Sequence, residues 1–214
     1  MLQNERGLCN NCLSEIKCTD AILLQDEFRR KFAQEGIVND FYSPFIFEKE
    51  GPLQSLIHNL KYRTQFTIGK LLGEILFDKS SEIISKWNAE IVVPIPLHPL
   101  KRAGRGYNQA EFIARGLIKN SNMKIKRILR RKKYTETQTQ LSASERRQNI
   151  TNAFILKRKT KMPESLILID DVITTGSTIT EAAKVLKANG AINIYGLSIA
   201  IAEWSHPLGS RHAQ

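Results

Sequence analysis

LILIDDVITTGST, residues Leu166 to Thr178, opens on four aliphatic residues, continues with two carboxylates and closes on hydroxyl-bearing residues around a glycine. An unbroken aliphatic run without polar alternation is the pattern of a strand buried on both faces, as in a parallel sheet covered by helices. Ile179, Ala182, Ala183 and Leu186 then recur at helical spacing and stop before Gly190, so a helix follows. This order places Asp170 and Asp171 at the carboxyl end of the strand, where open α/β sheets hold ligands. It also places Thr174, Thr175, Gly176, Ser177 and Thr178 at a helix N-terminus, whose unpaired N–H groups and positive dipole end favour an anion. Gly176 lets the backbone come close to a phosphate, and the four hydroxyls add donors without adding a fixed charge. The carboxylates would repel that phosphate unless they faced sugar hydroxyls or a cation, and a vicinal diol suits acceptor-only groups. Phosphate and diol together read as a ribose phosphate. The plainer alternative is a turn opened by Asp-Asp and a helix capped by Thr and Ser. The joint presence of strand, acid pair and glycine favours the ligand reading. No Lys follows Gly176, so the loop is not a Walker A motif.

Outward from this junction, strand and helix alternate. Leu53, Leu56, Ile57 and Leu60, then Ile68, Leu71, Leu72, Ile75 and Leu76, have helical spacing with a break near Thr64 to Phe66. Ile91 to Ile95 reads as a buried strand, followed by a loop with Pro96, Pro99, Gly104 and Gly106 and a helix from about Asn108. Ile125 to Leu129 reads as another strand, Arg130 to Asn152 as a long loop, and Ile192 to Ala202 as the last strand. Alternation of this kind predicts a Rossmann-like, mainly parallel sheet flanked by helices. Residues 1–44 form a Cys-bearing N-terminal appendage, 45–203 the main domain and 204–214 a polar tail.

With 214 residues, 42% of them hydrophobic, the chain can bury one sizeable core. Its longest apolar runs fall well short of the roughly 20 residues needed to cross a bilayer. Asn4, Glu5, Arg6 and Asn10 stand where a signal peptide would be apolar, so no membrane insertion and a cytoplasmic location are expected. All three cysteines, Cys9, Cys12 and Cys18, lie in the first 18 residues, which argues against a disulfide framework across the fold. The net charge of +11 is unevenly spread: residues 101–161 hold 18 Lys and Arg against Glu111, Glu136 and Glu145. That density reads either as a solvated basic face or as a groove for nucleic acid or a polyphosphate. Tyr107 and Tyr134 are the aromatics available to stack on bases. His58 reads as a helix-face residue, and His98 in the Pro-rich loop as a phosphate contact or a packing residue.

LILIDDVITTGST resembles the phosphoribosyl pyrophosphate (PRPP) motif of type I phosphoribosyltransferases. Two further stretches resemble one subgroup, the competence-associated ComF family: VPIPLHPLKRAGRGYNQAE from Val93 to Glu111, and the spaced set Thr135, Gln138, Leu141, Ser142, Arg146, Asn149 and Phe154. With Leu60-Lys61-Tyr62, the likeness covers roughly residues 45 to 202. The resemblance implies a type I phosphoribosyltransferase-like fold. It makes Asp170 and Asp171 the ribose-diol pair and Thr174 to Thr178 the 5′-phosphate loop. Lys101, Arg102 and Arg105 fall in the place of the pyrophosphate loop, and Arg146 and Asn149 in that of a flexible loop that closes over substrate. It further implies Mg²⁺ bound together with PRPP, and, as partners, PRPP or another ribose phosphate, single-stranded DNA and a competence helicase. No residue pattern reads a purine or pyrimidine edge, so phosphoribosyl transfer, DNA binding during uptake without catalysis, and PRPP sensing stand as open alternatives. Cys9 and Cys12 resemble one Cys-x-x-Cys pair of the family's zinc module. With Cys18 they give three of the four ligands that a closed zinc site needs.

Overall fold

The computed structural model describes residues 14–62, 65–134 and 148–202. In chain order its strands are β1 (Asp40–Tyr42), β2 (Phe45–Ile46), β3 (Ile91–Pro94), β4 (Lys124–Ile125), β5 (Leu129–Arg131), β6 (Phe154–Leu156), β7 (Ser165–Ile173) and β8 (Asn193–Ile201). Six of them form one parallel sheet in the order β1-β8-β7-β3-β4, with β2 also on β8, while β5 and β6 pair antiparallel as a separate ribbon. The helices are α1 (Ala21–Phe28), α2 (Pro52–Tyr62), α3 (Phe66–Trp87), α4 (Pro99–Arg105), α5 (Gln109–Leu117) and α6 (Ser177–Lys187), and α1 runs on into a π-helical turn at Arg29–Ala33.

Leu166 to Ile169 are all 0% exposed because the two faces of β7 are both covered. Alternate side chains leave a strand on opposite sides. Ile167, Ile169 and Val92 accordingly meet Leu60, Leu72, Leu76, Ile113 and Leu117 of α2, α3 and α5. Leu166, Leu168, Ile91 and Val93 share the opposite core with Ile179, Ala183 and Leu186 of α6, Phe32, and Leu129 and Phe154 of the ribbon. Each such aliphatic side chain contributes about 2 kcal/mol by leaving water. Helices α3 and α5 cross backbone to backbone: a Cβ added to Gly73 or to Gly116 would fall 2.9 Å from the other glycine's Cα.

Expected and observed elements differ in three places. The single strand expected over Ile125 to Leu129 is two strands in two sheets. Lys126 N–H still bonds the Val92 carbonyl at 3.0 Å, but Leu129, 2% exposed, belongs to the second core and pairs with Leu156. The loop expected after β3 contains α4, started by Pro99 with His98 Nδ1 accepting from Leu100 N–H, and ended by Gly106 at φ 78°. His98 is thus a helix cap, and His58 an exposed residue of α2 beside Tyr62. In the N-terminal stretch, Asp20 caps α1 by accepting from Leu23 N–H at 2.8 Å. The boundary drawn at residue 44 passes between β1 and β2, both of which pair with β8. Among the described residues no helix is long and apolar enough to cross a membrane.

Candidate functional site

Strand β7 outruns its neighbour. Its pairing with β3 ends at Pro94 and Ile169, and one further bond joins Ile95 N–H to the Ile169 carbonyl at 2.9 Å. Asp170, Asp171, Val172 and Ile173 continue beside β8 alone, in register with Ser198 to Ile201. Past Ile95 this edge of β7 has no strand partner among the described residues, and the acid pair lies on that stretch. The carboxylates therefore sit within the last turns of the strand rather than after it.

Each acid is anchored by the amide that follows it. Asp171 N–H donates to Asp170 Oδ1 at 2.9 Å, and Val172 N–H to Asp171 Oδ1 at 3.0 Å. Asp171 is 5% exposed, and its Oδ2 lies 2.6 Å from the ammonium of Lys61 in the last turn of α2. Burial pushes the Asp170 carboxyl well above the usual carboxylate range, and the negative charge of Asp171 adds to that. Burial acts upward on Asp171 as well, but Lys61 outweighs it and holds this carboxyl below its usual value. For Lys61 burial acts to lower the pKa and Asp171 more than reverses it, so the ammonium stays charged. The structure thus sets one half-buried acid beside one acid already joined to a lysine.

Beyond β7 the chain turns through Thr174 and Thr175 into α6. Gly176, at φ 77°, is the residue before the helix and offers no side-chain cap. Ser177 N–H reaches Thr175 Oγ1 only at 3.4 Å, and the Thr175 and Ser177 hydroxyls bond each other. The capping alternative therefore fits poorly, and the first turn of α6 keeps donors to offer. Thr174 is exposed, while Thr175, Ser177 and Thr178 are half-buried. Gly176 itself is buried beneath the N-terminal segment: a Cβ there would meet Lys31 Cβ and the Phe32 ring, each at 3.0 Å. On this face the close approach that glycine permits is made by the protein's own chain. Lys31, with 2% of its side chain exposed, pairs with Glu27 at 2.7 Å and donates to the carbonyls of Thr174 and, at 3.0 Å, Ala202. A cavity of about 110 Å³ lies on the flank, rimmed by Thr175, Ser177, Arg30 and Lys184.

The three basic residues of α4 point in different directions. Arg105 stacks on Tyr62 at 5.1 Å and stands close enough to Lys61 to repel it. Arg102 lines a cavity of about 40 Å³ with Asn108, Glu111, Arg127 and Lys157, and Lys101 lies over the Tyr134 ring at 5.9 Å. Asn149 is half-buried in a helical turn next to Ile150, which lines the cavity beside Thr175. Arg146, Cys9 and Cys12 lie outside the described residues, and Cys18 is an exposed free thiol. Tyr107 is 9% exposed and its hydroxyl donates to the Leu60 carbonyl, so it cannot stack on a base, whereas Tyr134 is 47% exposed. Lys61, Lys31 and Arg131 went unremarked as site residues in the sequence. Arg131 sits over Phe154 and feels the Asp170 charge. Only Lys61, within Leu60-Lys61-Tyr62, carried a signal there.

Sheet, acid pair and helix start define a parallel α/β protein with its candidate ligand site at the carboxyl end of a central strand. No family model matches the chain. It is 38% identical over 159 residues to competence protein F of Haemophilus influenzae, covering 69% of this chain and 68% of that protein. It is 31% identical over 147 residues to DNA utilization protein YhgH of Escherichia coli, covering 67% of this chain and 64% of that one. To competence protein ComFC of Streptococcus pneumoniae it is 26% identical over 194 residues, 89% of this chain and 79% of the relative. The chain belongs to the ComF family. The matched segment spans about two thirds of the length of the first two relatives. A solved structure of the allosteric regulatory enzyme of purine biosynthesis is 21% identical with a TM-score of 0.38, over 62% of this chain and 25% of that one. That likeness is slight, and the parallel sheet stands on its own strand pairing.

Proposed function

We propose that this ComF-family chain binds PRPP or a related ribose phosphate, with phosphoribosyltransferase-type architecture and a role in DNA uptake. The observation that carries the reading is the four-residue overhang of β7 past β3, which leaves Asp170 partly exposed on a strand that leads through a short turn to a helix start without a side-chain cap. Asp170 faces the sugar hydroxyls, and the α6 amides with Thr175, Ser177 and Thr178 take the 5′-phosphate. Arg105, near Lys61, supplies positive charge for a second anionic group. The role in DNA uptake comes from the names of the relatives. Phosphoribosyl transfer would follow if a nucleophilic nitrogen displaced pyrophosphate at the anomeric carbon, with positioning and charge as the main contributions. The acid pair fits a directly held Mg²⁺ poorly, because Lys61 already sits on Asp171 Oδ2 and the following amides on both Oδ1 atoms. A zinc site at the N-terminus rests on Cys9, Cys12 and Cys18 with a fourth ligand.

A second reading is favoured by the ribbon β5–β6. Arg130, Lys132, Lys133, Lys157, Arg158 and Lys159 are all exposed on it and its flanks, a surface suited to single-stranded DNA. Calorimetric titration separates the two. PRPP should bind the wild type and fail to bind Thr175→Val with Ser177→Ala. Single-stranded DNA binding should lose several orders of magnitude between about 50 and 200 mM salt if it rests on phosphate contacts. A protein that takes DNA but no PRPP or ribose phosphate would overturn the first reading and leave the second.

A further inference from the structure

We infer that Lys61 is the resident counter-cation of the acid pair, so that a pentose phosphate binds there without a divalent metal. The inference rests on the ribose-phosphate reading above and goes further, because it replaces the metal expected beside such a ligand with a side chain of the protein. Lys61 is held from several sides. Its neighbour Leu60 is 0% exposed, and the Leu60 carbonyl accepts from the Tyr107 hydroxyl. Its other neighbour, Tyr62, lies beneath Arg105 at 5.1 Å. The ammonium is delivered to Asp171 Oδ2 at 2.6 Å, with 25% and 7% of the two side chains exposed.

A divalent ion gains its affinity from several oxygen ligands at once. Here Asp170 Oδ1 and Asp171 Oδ1 are each occupied by the following amide, and Asp171 Oδ2 by Lys61. A metal entering directly at the pair would have to expel the ammonium and leave it repelled in a largely buried place. The lysine already supplies a fixed positive charge beside the two acids and pairs with one of them. It leaves Asp170 without a lysine of its own, so that this acid can meet a sugar hydroxyl, and an ammonium with three donors suits the same ligand. A metal carried by the diphosphate of PRPP would then serve the ligand's own charge.

Ribose 5-phosphate, which has no diphosphate, isolates this point. It is titrated calorimetrically into the full chain in EDTA and in millimolar MgCl₂. The expected result is a dissociation constant unchanged within about twofold between the two buffers, well under the tenfold that 1.4 kcal/mol represents. Lys61→Met should weaken binding in EDTA by about tenfold or more, with MgCl₂ restoring part of it, while Lys61→Arg should keep metal-independent binding. Wild-type binding that requires MgCl₂ would overturn the inference whatever the variants do, and so would Lys61→Met binding undiminished in EDTA. Absence of ribose 5-phosphate binding by the wild type in both buffers would remove the ribose-phosphate reading itself, and this inference with it.

Discussion

Asp170 and Asp171 are neighbours in sequence, yet their charges are managed in opposite ways. Asp170 has its pKa raised by burial and by Asp171, so its contribution to stability is full below the usual carboxylate pKa and is lost as pH rises through the folded value. Asp170→Asn should therefore gain stability relative to the wild type as pH rises from about 4 to 7. Urea unfolding midpoints of both proteins at three pH values check this, and a flat difference would contradict it. Asp171 behaves in the other sense: Lys61 holds its pKa down, so its stabilisation is present above the usual carboxylate value and lost as pH falls through the folded one. Asp171→Asn at pH 7 leaves the Lys61 ammonium with only the neighbouring charge of Asp170 and should cost about 3 kcal/mol, the low end for a broken buried pair because the Lys61 side chain is 25% exposed. The same unfolding curves report it. Sequence alone marked both acids but not this division of labour. The lysine arrives from α2, remote along the chain, and nothing local in LILIDDVITTGST announces a cation.

At the scale of elements, two contacts fix the site. Helices α3 and α5 touch through Gly73 and Gly116, and a Cβ at 116 would run into the Lys70 carbonyl. Helix propensity alone would make Gly116→Ala stabilising by about 1 kcal/mol. The crossing reverses the sign, and the variant should lose about 2 kcal/mol or more, read from its thermal unfolding. The second contact is the N-terminal clamp, in which Lys31 pairs with Glu27 and donates to the Thr174 carbonyl. Lys31→Met takes the buried ammonium from Glu27, 1% exposed, which keeps Arg30 at 3.5 Å, and should cost about 3 kcal/mol, most of which Glu27→Leu in the same chain should return. Amide exchange over Thr174 to Ser177 should stay faster in the double variant, since the carbonyl has lost its donor. Strands β3, β7 and β8 and helices α2, α3, α5 and α6 were legible because apolar periodicity marks any element that buries a face. Helix α4 was not, for it buries no side chain and exists through the His98 cap, Pro99 and Gly106. The clamp was hidden too, since a buried lysine in a polar stretch looks like any surface lysine until the fold brings its acceptors together.

Over the whole molecule, the positive charge and the acid pair occupy different ground. Exposed cations crowd the β5–β6 ribbon and its flanks, while at the end of β7 Lys61 pairs with one of the two acids. Part of the excess is also spent internally, as Glu111 binds Arg115 and Arg127 at 2.6 Å each. A small anionic sugar and a long polyanion would thus meet separate surfaces, and the first of these is the central claim. Amide chemical-shift mapping of the ¹⁵N-labelled chain during titration with ribose 5-phosphate tests it most directly. Saturating shifts concentrated at Asp170, Asp171 and Thr174 to Thr178 are predicted. Shifts confined to the β5–β6 ribbon, or none at saturation, would contradict it.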